Sequence, residues 1–168
     1  MKFRIISGFP TVIILVVLSI GNLQAQADNS SWKQYTDSTN EVTFRYPESL
    51  GTKYINTQAW PPNIQITNVP FTCIETKPDE YEKTAERIIN GRTYCVTEVS
   101  EGAAGHIYTQ YTYAFSKNDM MVTLSFTLTF VQCGNFDDPA KHECEEERHK
   151  FDIGSIIDQI AQTISINK

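Results

Sequence analysis

The chain has 168 residues, of which 40% are hydrophobic and 20% are charged, and its formal net charge at pH 7 is −6. This length is enough for one domain with its own hydrophobic core. An acidic chain without a cluster of Lys and Arg is ill suited to nucleic acid or to an anionic membrane surface, so these partners are excluded, while cations and neutral ligands such as glycans stay open.

Residues 1–27 have the three parts of a secretory signal peptide. A positively charged start is followed by an apolar run over residues 9–20 and by the sequence Ala-Gln-Ala, which ends at Ala27 and offers a cleavage site. We therefore predict one mature domain at residues 28–168, a secreted or periplasmic location, and no membrane insertion after cleavage. Retention of the segment as an uncleaved anchor is the alternative, and it would make the protein a membrane-anchored interaction protein of the envelope.

The first part of the domain predicts short strands. Residues 41–46 alternate outward and inward side chains and end at Pro47, as a strand does. Prolines then interrupt the chain and leave room for short strands only, near residues 64–67 and 71–75. The next signal is clearer, because Asn90-Gly91 lies between two strand-like runs and both residues tolerate the positive φ of a hairpin turn.

Two long strands and a helix complete the prediction. Residues 106–115 and 121–131 alternate apolar and polar side chains, which indicates an antiparallel sheet with one covered face and one wet face. Isoleucines between residues 153 and 164 recur at helical spacing after Asp152, which is placed to cap. The predicted fold class is therefore α+β, with an antiparallel β-sheet covered by a C-terminal amphipathic helix and with short additional helices.

Both ends of the domain resemble a known family. Trp32-Lys33-Gln34-Tyr35, the strand that ends Phe44-Arg45-Tyr46-Pro47, and the closing segment from Phe151 to Ile160 are similar to the opening and the terminal helix of secreted bacterial proteins of the PsbP-like group. The resemblance implies an antiparallel sheet flanked by helices. It implies an accessory or binding role and no catalytic residues.

Four cysteines allow three pairings. An oxidising compartment favours disulfides over free thiols. We predict the local pairing, Cys73 with Cys95 and Cys133 with Cys144.

The acidic stretch around the last cysteine also offers metal-binding residue types. A helix predicted over residues 140–150 places His142, Glu146 and His149 on one face, where they could hold zinc or another divalent ion. Cys144 points away from that face and cannot join them while the helix persists. We interpret the two histidines as solvated and predict no metal and no cofactor. The neighbouring carboxylates are likewise predicted to form a solvated helix surface: Glu143, Glu145, Glu146 and Glu147.

The sequence contains no motif for nucleophilic hydrolysis, phosphate binding or dinucleotide binding, so no catalytic residue is predicted. Tyr108, Tyr111 and Tyr113 are the candidate binding patch, although Tyr108 lies on the opposite face of its strand, so at least one group should be core. The predicted function is a non-enzymatic accessory or binding module with a protein or glycan partner. A metal-binding or hydrolytic protein is the less favoured alternative.

Overall fold

The computed structural model describes residues 32–39, 41–77 and 81–166. The predicted signal peptide lies outside these residues and stays a prediction. Within them, the β-strands and α-helices are, in chain order, β1 (Lys33–Asp37), β2 (Val42–Tyr46), β3 (Ile55–Thr67), β4 (Glu82–Ile89), β5 (Arg92–Ala103), β6 (His106–Lys117), β7 (Met120–Val131), α1 (Ala140–Lys150), α2 (Ile153–Thr163) and β8 (Ser165–Ile166), and a 3₁₀ turn at Cys133–Asn135 follows β7.

The strands form two antiparallel sheets. A five-stranded sheet has the order β3-β7-β6-β5-β4, and a three-stranded sheet has the order β1-β2-β8. The predicted α+β class with one sheet is therefore wrong, because the described chain is mostly antiparallel β and its α-helices are two segments of 11 residues each. The short β2 pairs with the end of the chain, Val42 opposite Ile166, instead of joining the long sheet. Alternation along a strand indicates which residues face inward, but it does not indicate which sheet the strand joins.

Strand β3 corrects a second prediction. It runs for 13 residues through Pro61 and Pro62, and its pairing with β7 shifts register between Gln58 and Asn63. Proline cannot donate to a β-ladder, and an edge strand with a bulge is where a sheet tolerates it. The prolines therefore interrupt the pairing without ending the strand.

The core lies between one face of the five-stranded sheet and α2, so the predicted cover by a C-terminal helix is confirmed. The helix begins after Asp152, whose side chain accepts a hydrogen bond from the backbone N–H of Ser155 at 3.1 Å. Its buried residues, including Ile157 and Ile160, pack in one cluster with the inward side chains of the sheet. The members of that cluster contributed by β7 are Val122, Leu124, Phe126 and Leu128.

The hairpin predicted at Asn90-Gly91 is confirmed. Both residues have positive φ, 50° and 82° respectively, and they join β4 to β5 in the expected register. This hairpin places Arg87 and Glu98 on the same face of the sheet as α2. No helix in the described part of the chain is long and apolar enough to cross a membrane.

Candidate functional site

The predicted disulfide pairing is confirmed. Cys73 is bonded to Cys95 with their Cα atoms 5.1 Å apart, and Cys133 is bonded to Cys144 with theirs 5.6 Å apart. The first bridge ties the segment before β4 onto β5, and the second joins the turn after β7 to α1. Two disulfides are compatible with an extracellular location.

The candidate metal ligands lie on α1. There Glu146 contacts His142 and Lys150, as an ion pair on the helix surface does. Nε2 of His142 lies 3.3 Å from Oε1 of Glu146, and Nζ of Lys150 donates to Oε2 of the same carboxylate at 2.9 Å. This hydrogen bond and the charge of Lys150 hold the pKa of the Glu146 carboxyl below its usual value. His149 is exposed. Across residues 32–39, 41–77 and 81–166, no three His, Cys, Asp or Glu side chains come together in a group that could hold a metal ion.

Two of the carboxylates predicted as solvated surface have structural partners: Glu143 is exposed as predicted, whereas Glu147 is half-buried. Glu147 accepts hydrogen bonds from the backbone N–H groups of Lys53 and Tyr54, both at 2.7 Å. Glu143 accepts from Nζ of Lys53 at 2.9 Å and from the hydroxyl of Tyr54 at 3.1 Å. These two carboxylates fasten α1 to the chain just before β3, because Glu147 satisfies two backbone donors and Glu143 bonds two side chains of the same residues.

The three candidate tyrosines do not form one exposed surface. Tyr113 is fully buried, Tyr111 is half-buried, and Tyr108 is half-buried on the opposite face of the sheet. The rings of Tyr111 and Tyr113 pack against Phe126, with centroid distances of 5.4 and 6.1 Å. The aromatic ring system thus belongs to the core face. The hydroxyl oxygen of Tyr113 is closed to solvent, so the partly exposed Tyr111 is the one of these two that a ligand could reach.

Tyr111 and Tyr113 line an open cleft of about 560 Å³ at the N-terminal end of α2. The floor is the face of the five-stranded sheet, with Arg87 from β4, Glu98 from β5 and the two tyrosines from β6. Glu98 lies directly opposite Tyr111 in the pairing of β5 with β6. The other wall is the segment Phe151–Gly154, which joins α1 to α2. This volume lies in the range of clefts that bind small molecules.

The polar groups of the floor are almost all paired. Arg87 donates from Nη2 to Oε1 of Glu98, and the pair neutralises both charges. The hydroxyl of Tyr113 is the exception, because it is buried and has no hydrogen-bond partner among the described residues. A buried polar group without a partner is uncommon and costs about 1–3 kcal/mol, so it requires an explanation.

The tyrosine hydroxyls of the cleft are held in their protonated form. Burial, followed by the charge of Glu98, raises the pKa of Tyr111 to about 12. Burial also raises the pKa of Tyr113; among the smaller effects, the charge of Arg87 lowers this pKa, and those of Glu98 and Asp152 raise it. Both groups are therefore hydrogen-bond donors at neutral pH and poor general bases.

The helical wall of the cleft is fixed by local contacts. Asp152 caps α2 through both the backbone N–H and the hydroxyl of Ser155, the latter at 2.6 Å. Gly154 lies so close to β4 that a Cβ atom there would meet Cδ1 of Ile89 at 3.0 Å. The first turn of α2 thus sits directly on the sheet, and the cleft is formed in advance of any ligand.

A buried carboxylate that sequence reasoning missed holds the same helix from its middle. Asp158 is 1% exposed and accepts hydrogen bonds from the hydroxyl of Tyr94 at 2.5 Å, from Gln162 at 2.8 Å and from Asn90 at 3.1 Å. Arg92 lies 3.7 Å away. The only sequence signal is an acidic residue directly after a core isoleucine of an amphipathic helix. Since both carboxylate oxygens are engaged, we interpret Asp158 as structural.

His106, which follows a loop of small residues, lies away from the cleft. Its Nδ1 is 3.0 Å from the carbonyl oxygen of Ala104 at the β5–β6 turn. Its ring packs near that of Tyr108, with centroids 6.2 Å apart. These contacts hold the histidine in the turn and bring it to no cluster that resembles a catalytic arrangement.

Comparisons with known proteins do not name a family for this chain. The sequence matches no family profile and no curated protein. Among solved structures it is similar to a crystal structure of a protein from Bacteroides thetaiotaomicron, at 12% sequence identity and a TM-score of 0.35. The alignment covers 83% of this chain and 43% of that protein, so the chain spans less than half of the neighbour's length. The resemblance to the PsbP-like group therefore stays a prediction.

Proposed function

We propose that the protein is a secreted or periplasmic, non-enzymatic binding module that takes up a small ligand in the cleft between the sheet and α2. The observation that carries this proposal is the open cleft of about 560 Å³, which combines the half-buried rings of Tyr111 and Phe151 with the ion pair of Arg87 and Glu98. A ligand with an apolar face and a hydrogen-bonding group would find a partner for each.

The chemistry of the cleft favours binding over catalysis. A general base needs an available lone pair and a pKa near the working pH. Glu98 is paired with Arg87, and Asp152 uses both carboxylate oxygens to cap α2. The tyrosine hydroxyls have raised pKa values and stay protonated. These groups can position a ligand but have no evident means of moving its protons.

The proposed compartment is supported by two features. The disulfides Cys73–Cys95 and Cys133–Cys144 belong to an oxidising environment, and the sequence of residues 1–27 predicts export. An accessory or binding role is also what a resemblance to the PsbP-like group implies. Each of these supports the proposal independently of the cleft.

Saturation-transfer NMR with a defined library of small fragments, comprising cyclic polyols, aromatic alcohols and small amides, followed by ¹⁵N–¹H correlation spectra of the protein with the fragments that bind, tests this function. We expect at least one fragment class to bind and to shift the backbone amide signals of Tyr111 and Phe151. The experiment includes a matched pair of variants, because Phe151 and Phe136 are both half-buried phenylalanines and, of the two, Phe151 lines the cleft.

The two variants separate the cleft from the rest of the surface. Phe151→Ala should weaken binding of the fragment at least several-fold, since it removes the aromatic ring from the wall of the cleft. Phe136→Ala should leave binding unchanged. Equal effects of the two variants, or fragment shifts confined to other surfaces, would contradict the proposed function.

A further inference from the structure

We propose that the ligand of the cleft is a small organic cation, an ammonium ion carried on an apolar body; this inference rests on the proposed function and names its ligand class. The charged side chains that line the cleft are those of Arg87, Glu98 and Asp152. Arg87 and Glu98 form an ion pair with each other. Asp152 forms no ion pair with a cation of the described residues, so its carboxylate gives the cleft an excess of negative charge.

The carboxylate of Asp152 can accept further hydrogen bonds. Its Oδ1 accepts from the backbone N–H of Ser155 at 3.1 Å, and its Oδ2 accepts from the hydroxyl of the same residue at 2.6 Å. A carboxylate accepts at about four sites, so about two remain for the N–H groups of an ammonium ion. Asp152 is also exposed, so a ligand can reach it. The N-terminus of α2 carries roughly half a positive charge, which offsets only part of the charge of the carboxylate.

The two aromatic rings of the cleft suit a cation as well. Tyr111 on the floor and Phe151 on the wall are both half-buried. The face of an aromatic ring attracts a cation that lies within about 6 Å of its centre. Elsewhere in the molecule, rings already have a cation of the chain over them: Lys53 over Tyr54, Arg92 over Phe115 and Arg148 over Phe130. Among the described residues no cation lies over Tyr111 or Phe151, so a bound ammonium ion would not compete with one.

The apolar body of the ligand has its own partners. Ile89 and Ile153 line the cleft beside Phe151. Aliphatic and aromatic side chains favour a hydrocarbon group, because its burial removes apolar surface from water. An ammonium ion on a hydrocarbon body therefore finds a partner in the cleft for each of its two parts.

A metal ion fits the cleft less well than an organic cation. Calcium and magnesium take about six or more oxygen ligands, whereas the cleft offers one carboxylate without a cationic partner. In the part of the chain that the structure describes, no three His, Cys, Asp or Glu side chains form a group that could hold a metal ion. The aromatic rings would also have no role in binding a hydrated metal ion.

An anion is disfavoured by the same contacts. The N-terminus of an α-helix is a potential anion site, but the side chain of Asp152 already accepts from the N–H of Ser155 at the start of α2. The positive charge of Arg87 is paired with Glu98. The chain as a whole carries a net charge of −6, which attracts cations and repels anions.

The experiment titrates purified, disulfide-intact protein with three probes of similar shape and different charge, followed by ¹⁵N–¹H correlation spectra. The probes are phenethylamine, a cation at neutral pH, 2-phenylethanol, which is neutral, and 3-phenylpropanoate, an anion. Asp152→Asn is the test variant, because asparagine caps a helix about as well as aspartate and removes only the charge. Glu145→Gln is the matched control, because Glu145 is an exposed carboxylate of α1 and does not line the cleft.

We expect phenethylamine to shift the backbone amide signals of Tyr111 and Phe151 and to bind about fivefold more tightly than 2-phenylethanol, as one partly screened charge interaction implies. Asp152→Asn should weaken binding of the amine about fivefold for the same reason and leave binding of the alcohol unchanged. Glu145→Gln should leave both unchanged, although it alters the net charge of the protein by the same amount.

Equal affinity of the cleft for the amine and the alcohol, tighter binding of 3-phenylpropanoate, or equal effects of the two variants would overturn the inference. If fragments of the library bind in the cleft but phenethylamine does not, the ligand class is wrong and the proposed function stands. If neither the probes nor the fragments bind in the cleft, the inference and the proposed function both fall.

Discussion

Replacing Asp158 with Ala should destabilise the protein by about 3–4 kcal/mol, within the range for breaking a buried charged network. The largest part comes from Tyr94, which is fully buried and would keep a hydroxyl without an acceptor, at about 1–3 kcal/mol. Asn90 and Gln162 can turn to solvent, so each loses less. Arg92 is one-third exposed and 3.7 Å away, so its screened attraction adds only a few tenths.

Equilibrium unfolding in guanidinium chloride, with the disulfides intact, measures this loss. Asp152→Ala is the control, because it removes the exposed carboxylate that caps the same helix, a loss of about 1 kcal/mol. Tyr94→Phe should be nearly neutral in the Asp158→Ala background, since the hydroxyl then has no acceptor to lose. A loss for Asp158→Ala no larger than that for Asp152→Ala would refute the reasoning.

The remaining predictions concern α1 and the hydroxyl of Tyr113. Replacing Cys133 and Cys144 together with Ala should lower stability by about 2–4 kcal/mol, measured by the same unfolding assay, and an unchanged midpoint would show that the bridge constrains nothing. The pKa of Glu143 is held below its unfolded value by hydrogen bonds from Lys53 and Tyr54, so its contribution is present above about pH 4.5 and is lost as pH falls through the lower folded pKa. Glu143→Gln should therefore flatten the loss of stability in this acidic window, and a parallel pH profile for the variant would contradict the assignment. Tyr113→Phe should not lower the free energy of unfolding, because its hydroxyl has no partner to lose; a drop of more than about 1 kcal/mol would show a hidden hydrogen bond.

The sequence predicted those parts of the fold that depend on local pattern. The hairpin at Asn90-Gly91, the alternation of β6 and β7 and the capped helix after Asp152 each follow from neighbours along the chain, and the structure shows all three. The predicted local pairing of the cysteines is also confirmed. These features need no knowledge of which elements meet in space.

The parts that were missed depend on distant contacts. The register shift that carries β3 past Pro61 and Pro62 depends on its partner β7. The pairing of β2 with β8 joins residues from opposite ends of the domain, so alternation could not reveal a second sheet. The alternation of side chains predicts which face of a strand is buried, but it does not predict which other strand pairs with it.

The cleft was predicted only in part, for the same reason. The sequence predicts Tyr111 and Tyr113 as binding residues, and the alternation along β6 places them on the same face of the sheet. The alternation does not indicate whether that face is exposed or belongs to the core. Arg87 and Glu98 come from different strands, and only the register between β4 and β5 brings them together. The role of Phe151 depends on how α2 lies on the sheet, which no local signal encodes.

A crystal structure of the protein soaked with the fragment that binds best in solution tests the central claim most directly. The account predicts the fragment in the cleft, in contact with the ring of Phe151 and about 2.7–3.2 Å from a polar atom of the Arg87–Glu98 pair. A fragment bound on the opposite face of the sheet, near Tyr108, with the cleft left unoccupied, would contradict it.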